Sequence, residues 1–314
     1  MLTHDSLEQV VNDAQQADLF PLWTFTRNRV VAPNPRAVPH RWRYRDVRDV
    51  LVRCGRLISA ENAVRRVLMM INPALKPPET TDTLTGAYQY LLPGECAPAH
   101  RHTPVAVRVI VEGTGAFTTV NSERIWMEPG DVIVTPAWTF HDHGKEGDGP
   151  MIWVDVLDAP IYERIPVAFH EDWKADRFPS VEVSNASSNF RYPWSEMRAR
   201  LDAEPGPYAS RAYLQRTTGG PLAATIGVQA ERLAPSTASP ARRTTASHIY
   251  TVIAGSGSTR VGDVTLTWEP GDSFCIPAWT SYSLVSGDET AYLCSFNDRP
   301  LLENLAVYRE EAAP

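Results

Sequence analysis

Residues 112–138 read EGTGAFTTVNSERIWMEPGDVIVTPAW, and residues 254–279 read AGSGSTRVGDVTLTWEPGDSFCIPAW. Both run through G-x-G, a strand-forming stretch, a turn, E-P-G-D and P-A-W in the same order, with a one-residue difference in the turn. Self-similarity of this kind marks one folding unit present twice. Around the first copy, short β-rich runs such as Ala87–Leu92, Val105–Val111, Ala116–Val120 and Val132–Val134 alternate with Pro93-Gly94, Gly113-Thr-Gly115 and Pro129-Gly130. Strands of about five residues at this spacing predict an antiparallel barrel or sandwich. The expected fold is mainly β, with two barrels.

Working outward, residues 1–80 read as a helical arm. Leu7, Val10, Val11 and Ala14 recur at helical spacing behind the cap candidates Asp5 and Ser6, and Val47, Val50, Leu51 and Cys54 repeat that spacing. Between them Val31–Pro39 is too rich in proline to be helical. Residues 81–160 form the first barrel and 161–215 a linker with one helix near Pro193, placing Trp194, Met197 and Leu201 on a single face. Residues 216–314 form the second barrel, closing in a short helix over Leu301–Glu311. So aromatic an arm needs a surface to lie on, either its own barrel or a neighbouring subunit. A homotetramer or dimer is the expected assembly.

The chain has 314 residues, 43% of them hydrophobic and 21% charged, an ordinary composition for a soluble globular protein. A net charge of −7 repels nucleic acid and anionic membrane alike, so neither is an expected partner. An acidic ligand must be held by local cations. No apolar run approaches the roughly 20 residues of a bilayer-spanning helix, and MLTHDSLEQ lacks the order of a secretory signal, which predicts a cytoplasmic protein. The scattered Cys54, Cys96, Cys275 and Cys294 form no CxxC pair, arguing against thiolate zinc and a disulfide framework.

Four of the eight histidines, His100, His102, His141 and His143, fall in the first barrel. Residues two apart on a strand share a face, so His100 and His102 can converge on one ion. His141 follows Gly130–Pro136, where an adjacent antiparallel strand would begin. Gly94, five residues, His100-x-His102 and Gly113, then Gly130, five residues, Pro136 and His141, resemble the two motifs of the cupin superfamily. The resemblance implies a glutamate ligand near Ala106, and none is there. A divalent ion on three neutral imidazoles keeps its full charge and about three open positions, and the ligand type favours Fe, Zn, Cu, Ni or Mn. Arg108 shares the strand phase of His100 and His102, which turns it into the cavity as a fork for a substrate carboxylate; the alternative is a structural pair with Asp155. His143 reads as an acid or base for a phenol proton, or as a packing histidine. In the second barrel Arg242, Thr244 and Tyr282 align with His100, His102 and His141, and His248 is isolated. That copy is expected to hold no metal.

Leu91–Thr103, Trp138–Gly144 and Phe296–Pro300, with Pro21-Leu-Trp23, Trp42-Arg-Tyr44 and Arg65–Leu68 in the arm, resemble the gentisate 1,2-dioxygenase family, which includes salicylate and 1-hydroxy-2-naphthoate 1,2-dioxygenases. The resemblance covers nearly the whole chain and implies a bicupin of two jelly-roll barrels. It further implies Fe(II) on His100, His102 and His141, and substrate contacts from Arg108, Gln89, His143 and Asp155, with Arg65 or Arg66 of the arm also near the site. The implied reaction uses O2 to open an aromatic ring between its carboxyl-bearing and hydroxyl-bearing carbons. At Thr85 the family pattern has a larger aromatic or amide residue, so the expected substrates include 5-substituted salicylates, nitro or halo, besides gentisate and salicylate. Two other readings compete: a non-catalytic cupin that binds a small acid, and another cupin metalloenzyme.

Overall fold

Both copies of the repeat fold, and the repeated unit extends beyond the stretch that betrays it. The computed structural model describes residues 6–25, 30–63, 65–184 and 187–313. The leading segment contains α1 (Leu7–Gln16), α2 (Leu22–Phe25), β1 (His40–Trp42), α3 (Tyr44–Leu57), α4 (Ala60–Ala63) and β2 (Arg66–Met69). The first barrel follows as β3 (Thr85–Leu91), β4 (Cys96–His102), β5 (Ala106–Glu112), β6 (Ala116–Val120), β7 (Glu123–Met127), β8 (Val132–Thr135), β9 (His141–Lys145) and β10 (Met151–Leu157). Next come α5 (Ala159–Arg164), β11 (His170–Asp172), β12 (Val181–Glu182), β13 (Arg191–Tyr192), α6 (Trp194–Asp202) and β14 (Tyr208–Ala212). The second barrel is β15 (Gly227–Leu233), β16 (Arg242–Thr244), β17 (His248–Ala254), β18 (Gly257–Val261), β19 (Val264–Trp268), β20 (Ser273–Ile276), β21 (Tyr282–Ser286) and β22 (Ala291–Asn297), closed by α7 (Arg299–Asn304) and β23 (Glu310–Ala312).

Each barrel is two facing sheets. The first pairs β13-β8-β5-β10-β3-β2 with β11-β4-β9-β6-β7-β12, and the second pairs β1-β20-β17-β22-β15-β14 with β19-β18-β21-β16-β23. The strand order shows an exchange. Strand β1, from the leading segment, pairs with β20 of the second barrel, whereas β13, from the linker, pairs with β8 of the first. The leading segment and the linker are therefore counterparts, each lending its strand and helix to the other copy's barrel.

The two E-P-G-D turns explain why. Gly130 and Gly271 both sit at φ +84, and a Cβ on either would collide with the aromatic ring that begins the exchanged helix, Trp194 in one case and Tyr44 in the other. The aspartate after each glycine accepts the amide of that same aromatic residue: Asp131 Oδ1 from Trp194 at 2.9 Å and Asp272 Oδ1 from Tyr44 at 2.7 Å. Each turn thus caps a helix start with a carboxylate. The exchange also explains why β3 is buried along its whole length instead of alternating. Its outward Tyr88 hydroxyl reaches Ser273 Oγ of the other barrel at 2.8 Å. One apolar cluster accordingly spans both copies, from Val107 and Val154 to Ile249 and Phe296.

The helical patterns around residues 7–14, 47–54 and 194–201 fall in α1, α3 and α6. Ser6 Oγ accepts the amide of Gln9 at 3.1 Å and caps α1, while Asp5 lies outside the described residues. The described residues fall into two compact units, one within 6–34 and one within 35–313. The closing segment departs from expectation. The helix read over Leu301–Glu311 spans Arg299–Asn304 and stops where Ala306 turns to φ +58. Glu310–Ala312 is a strand because it finds an open edge on β16, with Arg242 opposite Ala312.

Candidate metal centre

The three imidazoles meet. Strands β4 and β9 are antiparallel with His100 opposite His141, and the ligand nitrogens of His100, His102 and His141 all lie within 4.8 Å of one another. Each Nδ1 faces a main-chain carbonyl two residues away: Pro98 at 3.0 Å, Pro104 at 2.8 Å and Thr139 at 2.9 Å, respectively. For His102 and His141, donating the Nδ1 proton leaves Nε2 bare, which is the tautomer a metal ion requires; at His100 the Pro98 carbonyl shares Nδ1 with Arg65 Nη2. Burial keeps the rings neutral: desolvation pushes His100 down to about 2, lowers His102, and holds His141 well below its ordinary value. Among the described residues this is the one group of three or more such side chains poised for an ion. The donor set fits a divalent transition metal.

Imidazoles occupy one sheet and the opposing sheet forms the wall of a cavity of about 220 Å³. Cross-strand register sets that wall in rows. Arg108, Asp155, Ala87 and Met69 stand side by side in the middle one, Trp153, Gln89 and Val67 in the row on one side of it, and Ala106, Leu157 and Thr85 in the row on the other. Arg108 does face the cavity, but for a different reason from strand phase. Strands β4 and β5 belong to different sheets, so parity does not carry across residues 103–105; pairing with Asp155 on β10 orients Arg108.

Arg108 is fully buried and nearly saturated. Its Nε donates to Asp155 Oδ1 at 2.9 Å, Nη1 to Thr118 Oγ1 at 3.0 Å and to His143 Nδ1 at 3.2 Å, and Nη2 to Thr135 Oγ1 at 3.3 Å. Asp155 is fixed from its other side by Trp153 Nε1 at 2.7 Å. Trp153, Thr118 and Thr135 were not singled out from sequence, although the two-residue spacing of Trp153 and Asp155 on one strand was a usable signal. Since a guanidinium only donates, His143 must accept at Nδ1 and carry its proton on Nε2. Burial and the Arg108 charge hold it neutral, well below the ordinary histidine value.

The two arm arginines separate cleanly. Arg66 is locked away, its Nη2 on Glu95 Oε1 at 2.6 Å and its Nε on the Ile58 carbonyl at 2.8 Å. Arg65 lines the cavity, with Nη2 2.5 Å from His100 Nδ1 and a buried Nε that meets no acceptor. Burial pulls its guanidinium below the usual value. Gln89 Nε2 is likewise buried without an acceptor. Two residues with idle donors thus line the cavity together with the imidazoles.

In the second barrel the same framework carries no such group. Arg242 stands opposite Tyr282 as His100 stands opposite His141. Glu231, fifth residue of β15 as Gln89 is of β3, accepts from Arg242 at 3.0 Å, Tyr250 at 2.8 Å and Tyr208 at 2.7 Å. This ion pair fills the interior. His248 is buried, not superficial, bonded to Thr244 at 3.3 Å and Ser295 at 3.2 Å.

Residues 87–157, the barrel with the three imidazoles, match the Cupin domain family. Across nearly its whole length the chain is 34% identical to a 5-aminosalicylate 1,2-dioxygenase of Comamonas sp, covering 98% of this chain and 90% of that protein. The chain belongs to the gentisate and salicylate 1,2-dioxygenase family. It is also 33% identical to gentisate 1,2 dioxygenase 1 of Aquipseudomonas alcaligenes over 93% of this chain and 92% of that one. The crystal structure of a salicylate 1,2-dioxygenase from Pseudaminobacter salicylatoxidans superposes with a TM-score of 0.88 at 28% identity, covering 98% and 97% of the two chains. As a member of the family the protein is a mainly β bicupin and a ring-cleaving dioxygenase of hydroxybenzoates.

Proposed function

We propose that the protein holds Fe(II) on His100, His102 and His141 and opens the ring of a 5-substituted salicylate between its carboxyl-bearing and hydroxyl-bearing carbons. The observation that carries this is that Arg65 and Gln89, each with a buried side-chain donor that meets no acceptor among the described residues, line one cavity with the three imidazoles. A buried donor left unpaired costs about 1–3 kcal/mol, and a ligand carboxylate would satisfy both. When bound, iron supplies the shared site at which the two substrate oxygens and O2 meet and exchange electrons.

The chain's own residues do the rest. Arg65 and Gln89 take the carboxylate, and Arg108 adds the one N–H its partners leave open. Asp155, fixed by Arg108 and Trp153, keeps that array rigid. His143 presents Nε2–H to the cavity and serves as a hydrogen-bond donor to the reacting oxygens, because Arg108 occupies its other nitrogen. Val67, Met69, Pro78 and Leu157 exclude water from the far side of the ring. Thr85 Oγ1 lines the cavity and lies 3.4 Å from the Leu157 carbonyl, a long contact that leaves its hydroxyl able to bond a ligand as acceptor or donor. That favours a substituent that can both donate and accept, amino or hydroxyl, over the halo groups that pocket size alone suggests.

Oxygen-electrode assays of Fe(II)-loaded protein against salicylate, gentisate, 5-aminosalicylate, 5-nitrosalicylate and 1-hydroxy-2-naphthoate test this reading. One O2 consumed per ring opened, with the 5-amino or 5-hydroxy compound leading, is expected; no uptake with any of them sinks the proposal. His102→Ala should remove both iron and turnover. We further propose a cytoplasmic homo-oligomer, a tetramer or dimer, supported by the four free cysteines and by the exposed apolar side chains Leu7, Leu19, Leu22 and Val31. Light scattering checks the assembly.

A further inference from the structure

Two residues of the Trp138–Gly144 string, Asp142 and Gly144, have no part in the cavity. Asp142 alternates with His141 and His143, so its side chain leaves the opposite face of β9, yet it is wholly buried. What buries it is the linker. Residues 169–183 run as a strap across the outside of the imidazole-bearing sheet, meeting β4 at His100 and His102 and β9 at Asp142, next to His141.

Its strand β11 pairs with β4 so that His170 faces His102 and Asp172 faces His100. Where the β4–β9 ladder is interrupted between Ala97 and His100, the strap takes over the unpaired main chain: Trp173 N donates to Ala99 O at 2.8 Å and Ala99 N to Asp176 O at 2.9 Å. On β9, the Asp142 carboxylate accepts the Phe178 amide at 2.7 Å and lies 3.0 Å from Arg177 Nη2. Phe178 stacks on Phe140 at 4.9 Å beside Trp173. Arg177 in turn covers the Phe117 ring at 4.4 Å, and the bare Cα of Gly144 is what admits both side chains, since a Cβ there would collide with each.

We propose that Arg177 and Asp142 are positioning residues for the metal centre: their latch fixes β9 against β4 from outside, and so sets the convergence of His141 with His100 and His102. This rests on the metal-centre reading above. Outer partners of metal ligands typically tune metal affinity 10- to 100-fold, and the latch acts one covalent step from His141.

The test is titration of the apo protein with Co(II), read from its ligand-field absorption, with circular dichroism to confirm folding. Arg177→Met combined with Asp142→Asn, which removes the ion pair without stranding a buried charge, should weaken Co(II) binding about 10- to 100-fold and alter the spectrum. Gly144→Ala, whose Cβ would displace Arg177 and Phe117 while Arg177 and Asp142 themselves stay unsubstituted, should move both in the same direction. Arg177→Lys should retain most of the affinity. A purely structural role would lower stability and leave the affinity of folded molecules unchanged. Binding within twofold of wild type in the double variant and in Gly144→Ala overturns the latch alone, provided His102→Ala still abolishes binding. If wild type binds Co(II) no better than His102→Ala, the metal-centre reading falls and the latch with it.

Discussion

Replacing Arg65 and Arg66 separately by methionine, which keeps much of the side-chain bulk, should produce opposite phenotypes. Arg66 is buried in a two-pronged pair with Glu95 and holds the Ile58 carbonyl besides. Removing one member of a buried pair costs about 3–5 kcal/mol because the other charge is left stranded. Glu95 is only partly buried, so the lower end of that range applies. The catalytic constants of Arg66→Met should barely change at temperatures where the variant is folded. Arg65, in contrast, has no carboxylate partner among the described residues; its Nη2 meets the neutral His100 and its Nε satisfies nothing in the free protein. The apo protein should therefore unfold at the same or higher urea concentration when Arg65 becomes methionine. Its cost appears only with substrate, where one charge-assisted hydrogen bond, about 1.5–3 kcal/mol, is lost, or roughly 10- to 150-fold in kcat/KM. Urea unfolding of the apo proteins and steady-state O2 uptake separate the two. If Arg66→Met is the variant with defective kcat/KM, or Arg65→Met the destabilised one, the assignment of Arg65 to the cavity is wrong.

Thr85→Val removes the hydroxyl at nearly constant volume; kcat/KM for a 5-amino- or 5-hydroxy-substituted salicylate should fall about fivefold, a hydrogen bond of about 1 kcal/mol, while salicylate itself is unaffected. In the second barrel, Arg242→Met strands the wholly buried Glu231 and should destabilise the protein by about 3–5 kcal/mol, measured by urea unfolding, and adding Glu231→Gln should restore much of it. Acid should weaken the apo protein early. His100, His102, His141, His143 and His248 all have folded values below 6.5, so the unfolded chain binds more protons and stability falls as pH drops through and below 6.5, by up to about 1.4 kcal/mol per pH unit for each ring. Burial raises Asp298 to about 6, and Asp131, Asp142, Asp158 and Asp272 in the same direction, which acts in the opposite sense as the pH falls further, so the loss is steepest just below 6.5. Apo stability that is flat between pH 7 and 5 would contradict the neutral buried imidazoles.

Much of this protein is written locally. The duplicated G-x-G to P-A-W stretch announced two barrels, and the two-residue spacing of His100 and His102 with His141 after Gly130–Pro136 placed three imidazoles on adjacent strands, because strand periodicity and turn chemistry operate over a few residues. The loss of those ligands at Arg242, Thr244 and Tyr282 was equally legible. What sequence could not decide is everything that depends on which strand lies beside which. Arg65 and Arg66 are neighbours in the chain, and only the edge position of β2 sends one into the cavity and the other to Glu95. The fate of Arg108 was set by Asp155 on a strand 47 residues away, and its parity with the histidines was accidental. The exchange of β1 and β13 between barrels, and the strap that brings Arg177 to Asp142, join segments through contacts that no local pattern records. Periodicity assigns a side chain to a face, but its partner across that face is selected by long-range pairing, and in this protein the partners determine which charges are idle and ready for a ligand.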